Sequence, residues 1–169
     1  MLKTKNLKII PCNTEILQSA IDGNDKLAEQ LNVDVPENWT QFGVGALQYA
    51  HDKLVQSEDE IGWWTHFPIL VEENKLIGSG GYKGKPTEEG TVEVGYEIAP
   101  DYRNRGLATE LTNGLVQKAF SDSRVKSVIA HTLGEDNPST KVLRKCGFKI
   151  VDEINDSDDG LIWKWELKK

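Results

Sequence analysis

The sequence has few of the features that mark a metal-binding, membrane or nucleic-acid-binding protein. Its only two cysteines, Cys12 and Cys146, lie far apart and in no metal-ligand spacing, so we expect free thiols and no metal site. No apolar run is long enough to span a membrane, and no apolar region follows the first residues, so we expect a cytoplasmic protein without a secretory signal. The net charge of −7 argues against a nucleic-acid backbone as a partner.

What is present is the composition of an ordinary globular domain. The chain has 169 residues, of which 38% are hydrophobic and 28% are charged. It shows no internal repeat, linker or low-complexity segment. Because this length suffices for one sizeable hydrophobic core, we expect a single domain over residues 1–169.

The hydrophobic pattern changes period several times along the chain. It predicts the order β-α-α-β-β-β-α-β-α-β-β, with both early helices within about 13–56. The central β-α-β unit requires two parallel strands, whereas the hairpins require antiparallel ones. The sequence therefore predicts a mixed α/β domain.

The most informative stretch covers residues 92–108. Apolar residues alternate over 92–98, as in a half-buried strand, and from Leu107 they recur at every fourth position, as on one face of a helix. Arg103, Arg105 and Gly106 lie between these two elements. A helix start offers free N–H groups and a positive dipole end, so this turn is typical of a phosphate-binding site.

This turn resembles the acyl-CoA-binding motif of the GNAT superfamily of acetyltransferases, Gln/Arg-x-x-Gly-x-Gly/Ala. Here residues 103–108 read Arg-Asn-Arg-Gly-Leu-Ala. Residues 137–148 resemble the family's next motif, in which an Asn begins a short helix and a Gly-Phe pair ends it. The motifs lie within about 91–153, the proposed acetyl-CoA-binding core. The layout of 7–167 resembles the family, nearest the branch that includes ribosomal-protein N-terminal acetyltransferases.

The resemblance implies a fold and a donor site. The fold is a mostly antiparallel sheet of about seven strands, with a splayed parallel pair and helices on both faces. The pantetheine arm of acetyl-CoA is expected along the exposed backbone of 97–99, and its pyrophosphate at the turn. The candidate acetyl-CoA-binding residues are Glu97, Ile98, Ala99, Arg103, Asn104, Arg105, Gly106, Leu107, Ala108, Thr109, Asn137, Lys141 and Arg144. For the basic side chains among them, a solvated surface position is the alternative.

The resemblance also suggests catalytic residues. Glu93 lies on the strand before the turn, and related enzymes often use a glutamate there as the base, directly or through water. An ion-paired or solvent-facing carboxylate is the alternative. Many family members place a Tyr in the helix after Asn137 to protonate the thiolate. This chain has no Tyr between residues 138 and 169, and Ser139 is the nearest substitute.

Candidate acceptor-binding residues lie outside the two motifs. For the paired tryptophans Trp63 and Trp64, core packing is the alternative for at least one ring, and for His131 it is a polar position at a strand end. The candidates are Trp39, Trp64, His66 and His131.

The sequence as a whole predicts an acetyl-CoA-dependent N-acetyltransferase. The acetyl group would pass to a primary amine by direct attack in a ternary complex. The acceptor would be a small molecule or a protein N-terminus, and a homodimer is an option because dimers are common in the family. A non-catalytic acyl-CoA-binding sensor or scaffold module is the alternative, which the missing Tyr favours.

Overall fold

The structure is a computed structural model that describes all 169 residues, and it contains one nine-stranded sheet. The strands are β1 (Leu2–Lys3), β2 (Leu7–Pro11), β3 (Thr65–Leu70), β4 (Lys75–Leu76), β5 (Gly78–Tyr82), β6 (Thr91–Ile98), β7 (Ser127–Leu133), β8 (Lys149–Asp156) and β9 (Gly160–Lys168). The helices are α1 (Thr14–Asp22), α2 (Asn24–Leu31), α3 (Gly43–Gln56), α4 (Leu107–Ser121) and α5 (Pro138–Lys145). The strands are ordered β1-β2-β3-β5-β6-β7-β9-β8, and β4 pairs with β3.

The parallel pair predicted from the sequence is formed by β6 and β7. Residues 91–93 pair with 127–129, and the pairing stops there although both strands continue. On its other edge, β6 stays paired with β5 over 94–98. The two parallel strands therefore separate after Glu93, and one backbone edge of β6 is left without a strand partner.

Helices cover both faces of the sheet, as expected. Successive side chains of a strand point to opposite faces, so each strand contributes to two cores. Leu7 and Ile9 of β2 pack in the core that contains the apolar stripe of α4. Phe67 and Ile69 of β3 pack in the core formed with α1, α2 and α3.

The structure departs from the predicted element order in short segments. Three helices precede β3 where the sequence predicts two, because α1 ends at Gly23, whose φ of 135° starts α2 in a new direction. The two strands beyond the expected seven are β1 and β4, which have two residues each and are too short to show alternation. Both cysteines are free thiols, as predicted. None of the helices has the length and apolar character needed to cross a membrane.

Candidate active site

The turn between β6 and α4 has the backbone shape of an anion site. Asn104 and Gly106 both adopt left-handed conformations, with φ of 60° and 77°. Gly106 is the N-cap residue of α4, and no side chain caps this helix. The N–H groups of its first turn are therefore available to a ligand.

The two arginines of this turn contact different parts of the structure. Arg103 donates from Nε to the carbonyl oxygen of Ile98 at 2.9 Å and from its guanidinium to Gln41 at 2.7 Å. Arg105 is 43% exposed and lies 3.5 Å from Glu73. Arg103 thus ties the turn to the segment before α3, whereas Arg105 is the side chain better able to turn towards an anion.

The start of α5 carries the second motif. Asn137 caps the helix through a reciprocal pair of hydrogen bonds with Thr140, each 3.0 Å long, so the predicted helix cap is confirmed. Arg144 forms an ion pair with Asp136 at 2.6 Å, and Lys141 is exposed without an ion pair. Of these two basic side chains, Lys141 is the one without a competing carboxylate.

A cavity of about 440 Å³ lies between α3 and the strands β3, β5 and β6. Four glycines, Gly43, Gly80, Gly81 and Gly95, line it, and at Gly43 and Gly95 an added Cβ would meet nothing within 4 Å. Lys83 is its only charged lining residue. The aromatic lining residues are Phe42, Tyr49, Trp64, Tyr82 and Tyr96. Because β6 has already separated from β7 at Gly95, the cavity lies beside the free edge of β6.

Glu93 lies at the point where β6 and β7 separate. It accepts hydrogen bonds from Lys83 and, at 3.1 Å, from Nδ1 of His131 on β7. Burial by itself raises the pKa of Glu93, but the hydrogen bonds from Lys83 and His131 outweigh it and leave this pKa below the ordinary value of 4.5. Glu93 is therefore ionised at neutral pH.

A tyrosine reaches the start of α5 from the sheet. The hydroxyl of Tyr96 lies 3.2 Å from both the carbonyl oxygen and Oγ of Ser139. Burial raises the pKa of Tyr96 to about 12, so the phenol keeps its proton. Sequence reasoning missed this residue because Tyr96 alternates with Val92 and Val94, a pattern that indicates only a buried strand face.

The side chain of Glu97 has a structural contact on the acceptor side. Its carboxylate accepts hydrogen bonds from the hydroxyls of Thr40 and Ser79 and from the backbone N–H of Gln41. Through these hydrogen bonds, Glu97 of β6 links the segment before α3 to β5 and β6. The backbone of residues 97–98 keeps one edge without a strand partner.

Residues 23–149 match the family profile described as an acetyltransferase (GNAT) domain. This chain belongs to the GNAT acetyltransferase family. The uncharacterized N-acetyltransferase YjdG of Bacillus subtilis is 23% identical to it over 149 residues, which cover 88% of this chain and 89% of that protein.

Solved GNAT structures share the whole fold at low identity. A chimera based on the spermidine N-acetyltransferase SpeG of Vibrio cholerae matches with a TM-score of 0.69 and 16% identity, over 97% of this chain and 96% of that one. The microcin C7 self-immunity acetyltransferase MccE, solved with acetyl-CoA and AMP, matches with a TM-score of 0.68 and 12% identity, over 98% and 94%. These likenesses concern the fold, and the family assignment makes the chain a GNAT-type N-acetyltransferase.

GNAT enzymes use acetyl-CoA, and the residues of this GNAT chain fit it. The first turn of α4 offers free N–H groups, and a Cβ placed on Gly106 would meet nothing within 4 Å, so a phosphate has room to approach. The free edge of β6 offers backbone groups to the amides of the pantetheine arm.

Two of the four candidate acceptor-binding residues lie in the core and do not line the cavity. Trp39 is 2% exposed, donates from Nε1 to Asn24 at 3.0 Å and does not line the cavity. His66 is 1% exposed, and its Nδ1 lies 3.0 Å from the carbonyl oxygen of Trp64. Both are core residues, because almost none of either residue is exposed to solvent.

The other two acceptor candidates lie at or near the cavity. Trp64 lines it, while His131 contacts Glu93 at its border. Sequence reasoning missed Phe42, Tyr49 and Lys83, which become neighbours only through the packing of α3 on the sheet and the register of β5 with β6.

Proposed function

We propose that this enzyme transfers an acetyl group from acetyl-CoA to a primary amine held in the cavity. The observation that carries the proposal is the position of the cavity beside Gly95 and Tyr96, where β6 has left β7. A donor along the free edge of β6 and an acceptor in the cavity would meet there. Since the two sites are separate, both substrates can be bound together, which favours direct attack in a ternary complex.

Removal of a proton from the acceptor is the first task of the protein. An alkylamine is mostly protonated near pH 7, and only its neutral form attacks a thioester carbonyl, which acetyl-CoA supplies. We assign the base to Glu93, acting with His131. The Glu93 carboxylate takes the proton directly or through water, and His131, whose Nδ1 lies 3.1 Å from it, holds the carboxylate in position.

Stabilisation of the leaving thiolate is the second task. Ser139 begins α5 and has a hydroxyl that can donate to the sulfur. The Tyr96 hydroxyl, 3.2 Å from Ser139 Oγ, can in turn donate to that oxygen. This pair would replace the tyrosine that many family members carry in the helix after the Asn.

The donor site and the acceptor class complete the proposal. The turn 103–109 and the start of α5 would hold the pyrophosphate and the pantetheine arm, with Arg105 and Lys141 as the main cationic contacts. The resemblance to the ribosomal-protein branch stays a prediction, as does a homodimer. Both a small amine and a protein N-terminus are therefore to be tested as acceptors.

Thiol release from acetyl-CoA with a panel of primary amines and short peptides tests this function. We expect equal amounts of free CoA and N-acetylated product, identified by mass spectrometry. Initial rates with both substrates varied should give intersecting double-reciprocal lines, since a ternary complex forms. Parallel lines would contradict direct attack, and binding of acetyl-CoA without thiol release for any acceptor would favour the non-catalytic module.

A further inference from the structure

The cavity is lined by both aromatic side chains and glycines. Tyr49 and Trp64 lie edge to face, with ring centroids 5.7 Å apart. Tyr49 of α3 is 57% exposed and Phe42, the residue before α3, is 63% exposed, so two large rings here are not covered by the protein itself. Exposed aromatic rings at the border of a cavity are typical of ligand contacts.

The side of the cavity formed by β6 is open at Gly95. A Cβ on Gly95 would meet no atom within 4 Å, and the residue is exposed. Its backbone φ is not in the left-handed region, so the conformation of β6 does not require a glycine there. The missing side chain therefore creates space for a ligand rather than relieving a backbone constraint.

The charges of the cavity argue against a polycationic acceptor. No Asp or Glu lines it, and its one charged lining residue is the cationic Lys83. A polyamine carries several ammonium groups that need carboxylate partners along the site. The carboxylates that contact lining residues, those of Glu60, Glu93 and Glu97, already accept hydrogen bonds from the protein.

We propose that the acceptor is a small primary amine that carries an aromatic ring, with the ring packed over Gly95 and against the contacting pair Trp64 and Tyr49. This inference rests on the proposed function and names its substrate class. The amine end points along β6 towards Glu93, and the ring occupies the apolar part of the cavity. Edge-to-face contacts with the rings of Trp64 and Tyr49 favour an acceptor with an aromatic ring over an aliphatic amine of similar length.

The test compares acceptors by kcat/KM in the thiol-release assay. 2-Phenylethylamine and tryptamine should exceed n-hexylamine, spermidine and a short peptide with a free N-terminus by about tenfold or more, because two ring contacts favour the aromatic body. Tyr49→Ser removes an exposed ring without opening the core. It should lower the kcat/KM ratio of 2-phenylethylamine to n-hexylamine by about threefold or more, because one of the two ring contacts is lost.

Gly95→Val fills the cavity and is matched by Gly45→Val, an exposed site on α3 where an added Cβ also meets nothing and which does not line the cavity. We expect Gly95→Val to lower kcat/KM for 2-phenylethylamine by about tenfold or more and to weaken its binding in calorimetry. Acetyl-CoA affinity should stay within about twofold, and Gly45→Val should behave as wild type.

The outcomes separate this inference from the proposed function. If no acceptor releases thiol, the proposed function fails, while calorimetry of 2-phenylethylamine against wild type and Gly95→Val still tests the cavity. If amines are acetylated but n-hexylamine, spermidine or the peptide matches the aromatic amines, the aromatic class is wrong. Unchanged kinetics and binding in Gly95→Val would also overturn it.

Discussion

Among single residues, Glu93 is the one on which the chemistry depends most. Glu93→Gln keeps the size of the side chain and removes the base. It should lower kcat at pH 7 by roughly 10²–10⁴-fold, leave acetyl-CoA affinity nearly unchanged and recover partly at high pH, where more of the amine is neutral. Because the pKa of Glu93 lies below its ordinary value, the fall of the wild-type rate in acid should follow protonation of the amine.

The pH–rate profile of Glu93→Gln is compared with that of His131→Gln and of Glu29→Gln, a control on α2 whose side chain is exposed and forms no ion pair. His131→Gln should show a loss of the same kind. A wild-type rate for Glu93→Gln at every pH would assign the base to another residue.

Burial of His66 makes the free energy of unfolding depend on pH. Burial lowers the pKa of His66 from 6.5 to about 4, and its Nε2 has no partner. Because the folded-state pKa is the lower one, the stabilisation by neutral His66 is complete above about pH 6.5 and is lost as the pH falls towards 4. The shift corresponds to about 3 kcal/mol at most.

Urea unfolding of wild type and His66→Gln at pH 7 and pH 4.5 measures this contribution. Protonation of other groups affects both proteins equally, so the difference isolates His66. Between pH 7 and pH 4.5, the free energy of unfolding of wild type should fall by roughly 2–3 kcal/mol more than that of the variant. Equal losses would mean that His66 does not titrate in this range.

Among the elements, β5 fits between β3 and β6 only because it is rich in glycine. Gly81 has a φ of 148°, and a Cβ there would lie 2.0 Å from the carbonyl oxygen of Trp64. Gly81→Ala should therefore destabilise the protein by more than about 2 kcal/mol. Gly95→Ala, whose added Cβ meets nothing, should stay within about 1 kcal/mol of wild type. Similar urea midpoints for the two variants would contradict this account of β5.

The elements also show what the sequence can predict. β6, α4 and α5 follow from a clear change of period and from the cap at Asn137, which are local signals. The helix α2 was not predicted as a separate element, because residues 25–40 show a mixed pattern in which only Leu27 and Leu31 have helical spacing. Beyond the parallel pair of the β-α-β unit and the hairpins, the strand order was not predictable, because pairing between strands far apart in the sequence has no local signal.

The residues of the candidate site were likewise predictable from the sequence only in part. Glu93 and His131 were proposed separately, and the parallel register brings them to 3.1 Å. Trp39 was placed in the acceptor site because it lies in the segment that usually closes over the acceptor in this family, and His66 because its strand precedes the donor motif. Only the packing of the helices on the sheet decides which face each of them occupies. The same packing brings Tyr49 and Lys83 to the cavity.

In the whole molecule, the sheet lies between the cavity proposed for the acceptor and the helix α4, whose start is proposed to bind the donor. The cavity lies on the face covered by α3, while α4 packs on the opposite face and begins directly after Gly106. The free edge of β6 lies between them. The central claim is that the start of α4 holds the donor so that its reactive end reaches the cavity along this edge.

Calorimetric titration of acetyl-CoA into Arg105→Glu tests that claim most directly, with Lys149→Glu on the exposed edge strand β8 as a control of equal charge change. One charged hydrogen bond contributes roughly 1.5–3 kcal/mol, and reversal adds repulsion, so Arg105→Glu should weaken binding by about tenfold or more. Lys149→Glu should bind as wild type does. Unchanged affinity in folded Arg105→Glu, or an equal loss in both variants, would contradict a donor site at the start of α4.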